Sequence, residues 1–286
     1  MTLILTISLR RISWRRVAVL LKIALFPFLG SLVVACSARL PTPRANQPLR
    51  QSLAIRIGTY NVFTGTHDIA KTVKVIRSMN ADVVALQELS PKGSMLLDRV
   101  LKQDYPYRRF SDGLAILSRY PLRNSRYQHS QRGINGFLIA EVDSPVGRFQ
   151  IARLHLDPLH LWTSWDKWSL LQQVLWGQGK IHLAEVKQIS EALKPGLPTI
   201  LAGDFNSASH AALDQLRTQG FTDSFAEVTP HPDQTSTLHF KLLGIATGRR
   251  IDYILHDASF KSLESQTIPG LPSDHDPVVS GLSWKH

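Results

Sequence analysis

The 286-residue chain has a single cysteine, Cys36. One thiol excludes an intramolecular disulfide and leaves no set of thiolates for a zinc site. Acid is missing from the first 35 residues, which carry Arg10, Arg11, Arg15, Arg16 and Lys22. Five units of the formal +11 charge sit there, so a chain beginning at residue 36 keeps +6. A moderate positive field favours a phosphate-bearing or anionic-surface partner without choosing nucleic acid over lipid. After residue 53 there is no internal repeat, low-complexity tract or linker, which argues for one domain.

The basic N-terminal residues run into an apolar stretch over 17–35. Such a segment reads as an export signal or membrane anchor and is set aside from fold reasoning. Lys22 and Pro27 interrupt it as a spanning helix, although its length is near the requirement. "VVAC" at 33–36 resembles the lipobox of bacterial lipoproteins, which implies a lipidated Cys36; Val33 stands where leucine is commonest. An uncleaved anchor is a second reading, and a cytosolic protein with a buried amphipathic start a third. Positive residues ahead of the apolar run predict that this end stays cytoplasmic while the body is exported. The expected organisation is 1–36 signal or anchor, 37–52 a linker with three prolines, and 53–286 the folded domain. The expected location is the exported face of a bacterial membrane.

The remainder alternates strand and helix patterns. "LAIRIGTYNV" predicts a strand over 53–58. In "DIAKTVKVIRSMN", Ile69, Val73, Ile76 and Met79 recur at helical spacing. "ADVVALQEL" reads as a buried strand, "GSMLLDRVLKQD" as a helix and "DGLAILSRYPL" as a strand closed by proline. Strands at 136–143 and 148–156 are joined by a Pro-Gly turn, and a helical region over 165–194 ends at Pro195-Gly196. "PTILAGDF" is a strand, "SHAALDQLRTQG" a helix with a terminal glycine, and "RIDYILHD" and "PVVSGLSW" are the last strands. Adjacent strands without an intervening helix argue against a purely parallel sheet. An α/β sandwich of mixed sheets with helices outside is the expected class.

Buried strands have little use for acids unless these are paired or bind metal. Yet Asn61, Glu88, His155, Asp204, Asn206, Asp252, Asp274 and His275 all stand at or near proposed strand ends. Singly, each has an ordinary reading: Asn61 or Asp204 caps a turn, Glu88 caps a helix, His155 is a bonded core histidine. Together they sit where scaffolds place chemistry. Carboxylates and carboxamides are hard ligands suited to Mg²⁺ or Mn²⁺. A histidine beside acids can serve as a base near neutral pH, and a second histidine or amide can donate to a developing oxyanion. Metal-assisted hydrolysis of a phosphate ester uses that set.

The order "TYNV", "LQE", "HLD", "GDFN", "RIDYI" and "SDHDPV" resembles the six signature blocks of the endonuclease/exonuclease/phosphatase superfamily, across residues 55–282. The resemblance implies a deoxyribonuclease-I-like, four-layer α/β sandwich of two mixed β-sheets flanked by helices, with the site in loops at one edge. It implies metal ligation by Glu88 with Asn61 and Asp274, and an Asp204 that orients or activates water. Asn206 is then an amide at the phosphoryl group or a metal-bound water, and His275 a histidine at the phosphate oriented by Asp252, a pair that is the usual base-side device of the family and an alternative to Asp204 as the acceptor of the water's proton. His155 resembles a histidine of the deoxyribonuclease and sphingomyelinase branches that donates to a phosphate oxygen. Arg132 resembles an arginine that approaches phosphate in relatives, with an ordinary solvent-facing arginine the other reading. Tyr120 and Tyr127 are equally placed to supply a phosphate-facing tyrosine.

Residues 156–188 are longer and more aromatic than the corresponding helix of relatives, and hold Trp162, Trp165, Trp168 and Trp176. Three readings are open: a plug on the outer face of the sandwich, an apolar ridge that meets a bilayer or lipid substrate, and a base-stacking platform. His160 and His182 read as polar members of the region. Residues 231–250 read as a loop leading to "RIDYI", with Arg249 and Arg250 as candidate substrate contacts. A metal-dependent phosphodiesterase or endonuclease, with DNA a candidate substrate, leads. A lipid-directed phosphodiesterase or phosphatase stands second and a non-catalytic binding lipoprotein third; no obligate protein partner is implied.

Overall fold

A computed structural model of the protein describes residues 54–65, 68–158, 178–206, 211–242 and 244–285. The strands, in chain order, begin with β1 (Ala54–Asn61), β2 (Val83–Gln87), β3 (Tyr107–Ser111), β4 (Leu114–Ser118) and β5 (Leu122–His129). There follow β6 (Gly136–Ser144), β7 (Gly147–His155), β8 (Thr199–Asp204), β9 (Thr222–Asp223), β10 (Leu238–Leu242) and β11 (Ile245–Arg249). The last are β12 (Asp252–His256), β13 (Phe260–Thr267) and β14 (Val278–Trp284). The helices are α1 (Ile69–Ser78), α2 (Pro91–Val100), α3 (Gln178–Ala192), α4 (Ala211–Thr218) and α5 (Ser224–Val228).

Two six-stranded sheets form, ordered β13-β14-β1-β2-β4-β3 and β5-β6-β7-β8-β12-β9, with β10-β11 a separate hairpin. Each sheet has one parallel pair near its middle, β1 with β2 and β7 with β8, among antiparallel neighbours. Three apolar clusters correspond to the three interfaces of four layers. Ile55, Ile57, Val83, Ala85, Ile151 and Ile200 fill the space between the sheets. Val84, Leu86 and Leu117 on the first sheet pack against Val73 and Ile76 of α1 and Leu97 of α2. Leu154, Leu201 and Tyr253 on the second pack against Val186 and Ile189 of α3 and Leu213 and Leu216 of α4. Each enclosed Leu or Ile contributes about 1.5–3 kcal/mol, so charging any one would disrupt a layer. The expected α/β four-layer sandwich is the observed architecture.

Local signals explain the helix ends. Asp68 caps α1 by accepting from Lys71 N at 3.0 Å, and Ser90 caps α2 by accepting from Gly93 N at 3.0 Å, with Pro91 next. The expected 231–250 loop is instead the β10-β11 hairpin preceded by a 3₁₀ turn, Pro232–Gln234. β3, β5, β9 and β13, for which the sequence carries no strand expectation, are the four edges of the two large sheets.

Side-chain alternation then places the site. Along β1, Ile55 and Ile57 face the inter-sheet core, so Thr59 and Asn61 share that face; on β2, Val83 and Ala85 lead to Gln87. On β7, Phe149 and Ile151 lead to Arg153 and His155, and on β8, Ile200 and Ala202 lead to Asp204. The gap between the sheets is apolar at one end and polar at the other. Cys36, residues 1–36, the 37–52 linker, His160 and the tryptophans Trp162, Trp165, Trp168 and Trp176 lie outside the described residues, as does the expected helix before Gln178. Among the described residues no helix is long and apolar enough to cross a membrane.

Candidate active site

Strand register aligns three of the expected residues. His155 pairs with Asp204 across β7 and β8, and Asp204 with Asp252 across β8 and β12. The approach of β7 to β8 needs a glycine: a Cβ on Gly203 would stand 2.0 Å from Leu154 O. Two site residues adopt left-handed backbone, Glu88 at φ 53° directly after β2 and Asn206 at φ 45° after β8. Non-glycine residues hold that conformation only when their surroundings over-determine it. For Glu88 the surroundings include Thr64 Oγ1, which donates to Glu88 O at 3.1 Å. For Asn206 they are Asp204 Oδ1, which accepts from Asn206 N at 2.8 Å, and Leu156 O, which accepts from Asn206 Nδ2 at 3.0 Å.

Asn61 Nδ2 donates to Glu88 Oε1 at 2.8 Å and to Asp204 Oδ2 at 3.0 Å, joining the two sheets. Phe63 N donates to Asn61 Oδ1 at 3.0 Å and fixes the amide's orientation. His155 Nε2 lies 3.7 Å from Glu88 Oε1 and 3.8 Å from Asp204 Oδ2. His275 Nδ1 bonds Asp252 Oδ2 at 2.9 Å, and its Nε2 stands 3.8 Å from Asp204 Oδ2. Ser273 holds the His275 loop to β1: its Oγ donates to Asn61 O at 2.7 Å and accepts from His275 N at 3.0 Å. Gly270 lies against the same loop, where a Cβ would come within 1.8 Å of His275 O. The β10-β11 hairpin adds support from the other side. Thr237 Oγ1 accepts from Asp252 N at 3.1 Å, and His239 N donates to Asp274 O at 2.9 Å.

Burial separates the titrations. His155 is enclosed, and burial with the nearby Arg153 and His275 pushes its pKa well below the usual histidine value. It is therefore neutral, and its approaches to Glu88 and Asp204 are not ion pairs. Burial alone would lower His275 too, but the charge and hydrogen bond of Asp252, with Asp204 and Asp274, raise it to about 10. Burial and the neighbouring Asp252 push Asp204 up to about 7, against the pull of His275. The site thus pairs a protonated histidine with a carboxylate that titrates near neutrality.

Two groups of ligand atoms lie within 4.8 Å of one another: Glu88, His155 and Asp204, and Asp204, Asp252 and His275. Both can coordinate a divalent metal. The donors are mostly hard oxygens, and the buried atoms His155 Nε2 and Asp252 Oδ1 have no hydrogen-bond partner, which fits a cation or phosphate oxygen there. The second group is partly committed to the His275–Asp252 bond. The first includes the half-buried Glu88 at the rim.

The other expected residues are distributed differently. Asp274 is exposed and outside both groups, with Oδ1 accepting from Ser273 Oγ at 3.5 Å. Arg132 is exposed on a loop tied to the strand end beyond His155 by Ile134 N donating to Asp157 Oδ1 at 2.9 Å. Arg249 is exposed on the hairpin. Arg250 departs from the expectation of a substrate contact. Its guanidinium is buried, bonds Asp223 Oδ2 at 2.8 Å and lies 4.4 Å from the Tyr253 ring centre. Both tyrosines pack against the inter-sheet core, and the Tyr127 hydroxyl also bonds Asp112 and lies 3.2 Å from His129 Nδ1. His182 is a structural group, with Nε2 at 2.7 Å from Asp157 O. Ser273 stands inside the "SDHDPV" block, where the resemblance gives it no role, and Thr237 and Arg153 lie outside the six blocks; period-two spacing from His155 is the one hint that Arg153 points inward.

A four-layer mixed-sheet sandwich with an acid and histidine cluster at one edge defines the metal-dependent phosphoesterase and nuclease-like class. Residues 58–275 match the endonuclease/exonuclease/phosphatase family, and the chain belongs to it. No curated protein matches the chain. Among solved structures, an endonuclease/exonuclease/phosphatase from Beutenbergia cavernae is similar at TM-score 0.63 and 19% identity, over 81% of this chain and 72% of that one. D. rerio TDP2 complexed with single strand DNA product is similar at TM-score 0.62 and 19% identity, over 80% and 99%. Sphingomyelinase C from Streptomyces griseocarneus is similar at TM-score 0.54 and 14% identity, over 80% and 99%. At these identities the likeness extends to the fold.

Proposed function

We propose that the protein is a divalent-metal-dependent phosphodiesterase or endonuclease whose attacking group is water. The observation that carries this reading is the convergence of Glu88, His155 and Asp204 ligand atoms within 4.8 Å at the polar end of the sandwich. Glu88 would hold Mg²⁺ or Mn²⁺, with Asn61 and Asp274 sharing or orienting the coordination. When bound, such an ion neutralises charge that builds on the phosphate and leaving oxygens. Asp204, titrating at about 7, accepts the proton of the attacking water near neutral pH. His275 keeps its proton and, oriented by Asp252, directs positive charge at the phosphoryl oxygens. Neutral His155 donates through Nε2, and Asn206 stands at the mouth of the same turn. Arg132 and Arg249 are the candidate outer contacts with the substrate's remaining phosphates.

The N-terminal segment favours a second substrate. Residues 1–36 as signal or lipidated anchor, with 37–52 as tether, would hold the domain at an exported membrane face, where phospholipid is abundant. Trp162, Trp165, Trp168 and Trp176 would then meet the bilayer. Solved structures of similar fold include one with a single strand DNA product and a sphingomyelinase C. The discriminating experiment offers plasmid DNA, a generic phosphodiester, and sphingomyelin or phosphoinositide vesicles to the purified full-length chain in Mg²⁺, Mn²⁺ or EDTA. Plasmid nicking abolished by EDTA supports the nuclease reading, and turnover confined to vesicles replaces it with the lipid reading. No cleavage and no metal binding would leave a binding lipoprotein.

A further inference from the structure

Arg153 is the largest fully enclosed side chain among the described residues. Its Nε, Nη1 and Nη2 are all buried, and none has a hydrogen-bond partner. A guanidinium carries five donors and keeps its charge under ordinary conditions. Enclosing one without partners is costly, so the fold must recover that cost elsewhere. No neighbour in strand pairing can do so, because Leu138 and Ala202 stand opposite Arg153 on β6 and β8. Burial pushes its pKa well below the usual guanidinium value, and the carboxylates of Asp204 and Glu88, with the Tyr127 hydroxyl, act against that loss and favour the charged form. Arg153 lies two residues before His155 on the same face of β7, one layer deeper than the ligand atoms.

We infer that Arg153 is a built-in counter-charge for the carboxylates of the metal site, and that it weakens the hold of that site on a divalent ion. This rests on the proposed reading of Glu88 and Asp204 as metal-site residues. The positive charge of the guanidinium offsets part of the negative charge of Glu88 and Asp204, and so opposes a divalent cation placed among them in an interior where charges are weakly screened. In metal-free protein the same guanidinium offsets the two carboxylates that Asn61 draws together. Arg153 touches no reacting atom; it is a positioning residue that acts through the carboxylates.

The test uses the full-length chain with Arg153→Met and Arg153→Gln, which remove the same charge but pack differently. Mn²⁺ alone is titrated calorimetrically, and melting is followed in EDTA and in saturating Mn²⁺. Both variants should bind Mn²⁺ at least tenfold more tightly than wild type. Both should also gain more in melting temperature from Mn²⁺ than wild type does. Wild-type affinity in both variants would overturn the inference. So would failure of both to fold even in Mn²⁺, because the ion should then replace the missing charge. If wild type itself binds no Mn²⁺, the metal-site reading fails first, and that result is distinct from a change confined to the variants.

Discussion

Asn61 and Asp204 lie 143 residues apart and on different sheets, yet the Asn61 amide donates to Asp204 Oδ2 at 3.0 Å. The same amide holds Glu88, so one side chain sets the spacing of two carboxylates that would otherwise repel. Asn61→Ala should cost about 1–3 kcal/mol, because buried acceptors lose their donor. It should also lower turnover about 100-fold through misplacement of both acids. Denaturant unfolding and initial rates on the same preparation check the two effects together.

Asp204→Asn separates catalysis from stability. Loss of the proton acceptor should reduce the rate by about 10³-fold or more. Asp204 is raised from 3.8 to about 7 in the fold, so its ionisation destabilises metal-free protein as pH rises between those values. The variant should therefore be at least as stable as wild type in EDTA at pH 8, by up to about 3 kcal/mol. Melting curves across pH 5 to 8 in EDTA measure this directly.

Most of the site was legible because its residues stand at the ends of buried central strands, inside motifs that keep their order. Six strands have no clear signal in the sequence: β3, β5, β9 and β13 are the edges of the two large sheets, and β10 and β11 form the separate hairpin. An edge strand faces water on more than one side and needs no apolar alternation, as "LRNSRYQH" of β5 illustrates. Tertiary partners distant in sequence were equally hidden. Arg250 reads as a free cation until Asp223, 27 residues away, is seen against it. Ser273 bonds the backbone of Asn61 across 212 residues, and nothing local in a serine announces that.

A second buried acid gives a pH effect outside the metal site. Burial raises Glu185 to about 7, although Asp157 N donates to its Oε2 at 3.0 Å. Its folded pKa exceeds the unfolded value, so its contribution is favourable at low pH and is lost as pH climbs from about 4.5 through 7. Glu185→Gln keeps the acceptor and removes the titration. It should flatten the stability profile over that window and gain about 1–3 kcal/mol at pH 8. Urea unfolding at pH 5 and pH 8 provides the comparison.

Arg250→Ala tests the reassignment of that side chain. Removing one partner of its buried ion pair with Asp223 should cost about 3–5 kcal/mol. Below the lowered melting temperature, turnover and substrate affinity should stay within about twofold of wild type, the range in which lost transition-state contact is negligible. A large rise in KM without loss of stability would return Arg250 to the substrate groove.

Under the proposed function, Glu88 and its neighbours hold a divalent ion for phosphodiester hydrolysis. The most direct test is the initial rate of bis(p-nitrophenyl) phosphate hydrolysis against free Mn²⁺, for wild type and Glu88→Gln. A metal-activated rate abolished by EDTA is expected, with a half-activating Mn²⁺ concentration raised about tenfold or more in the variant. A wild-type rate indifferent to EDTA, or identical activation curves for the two proteins, would contradict that function.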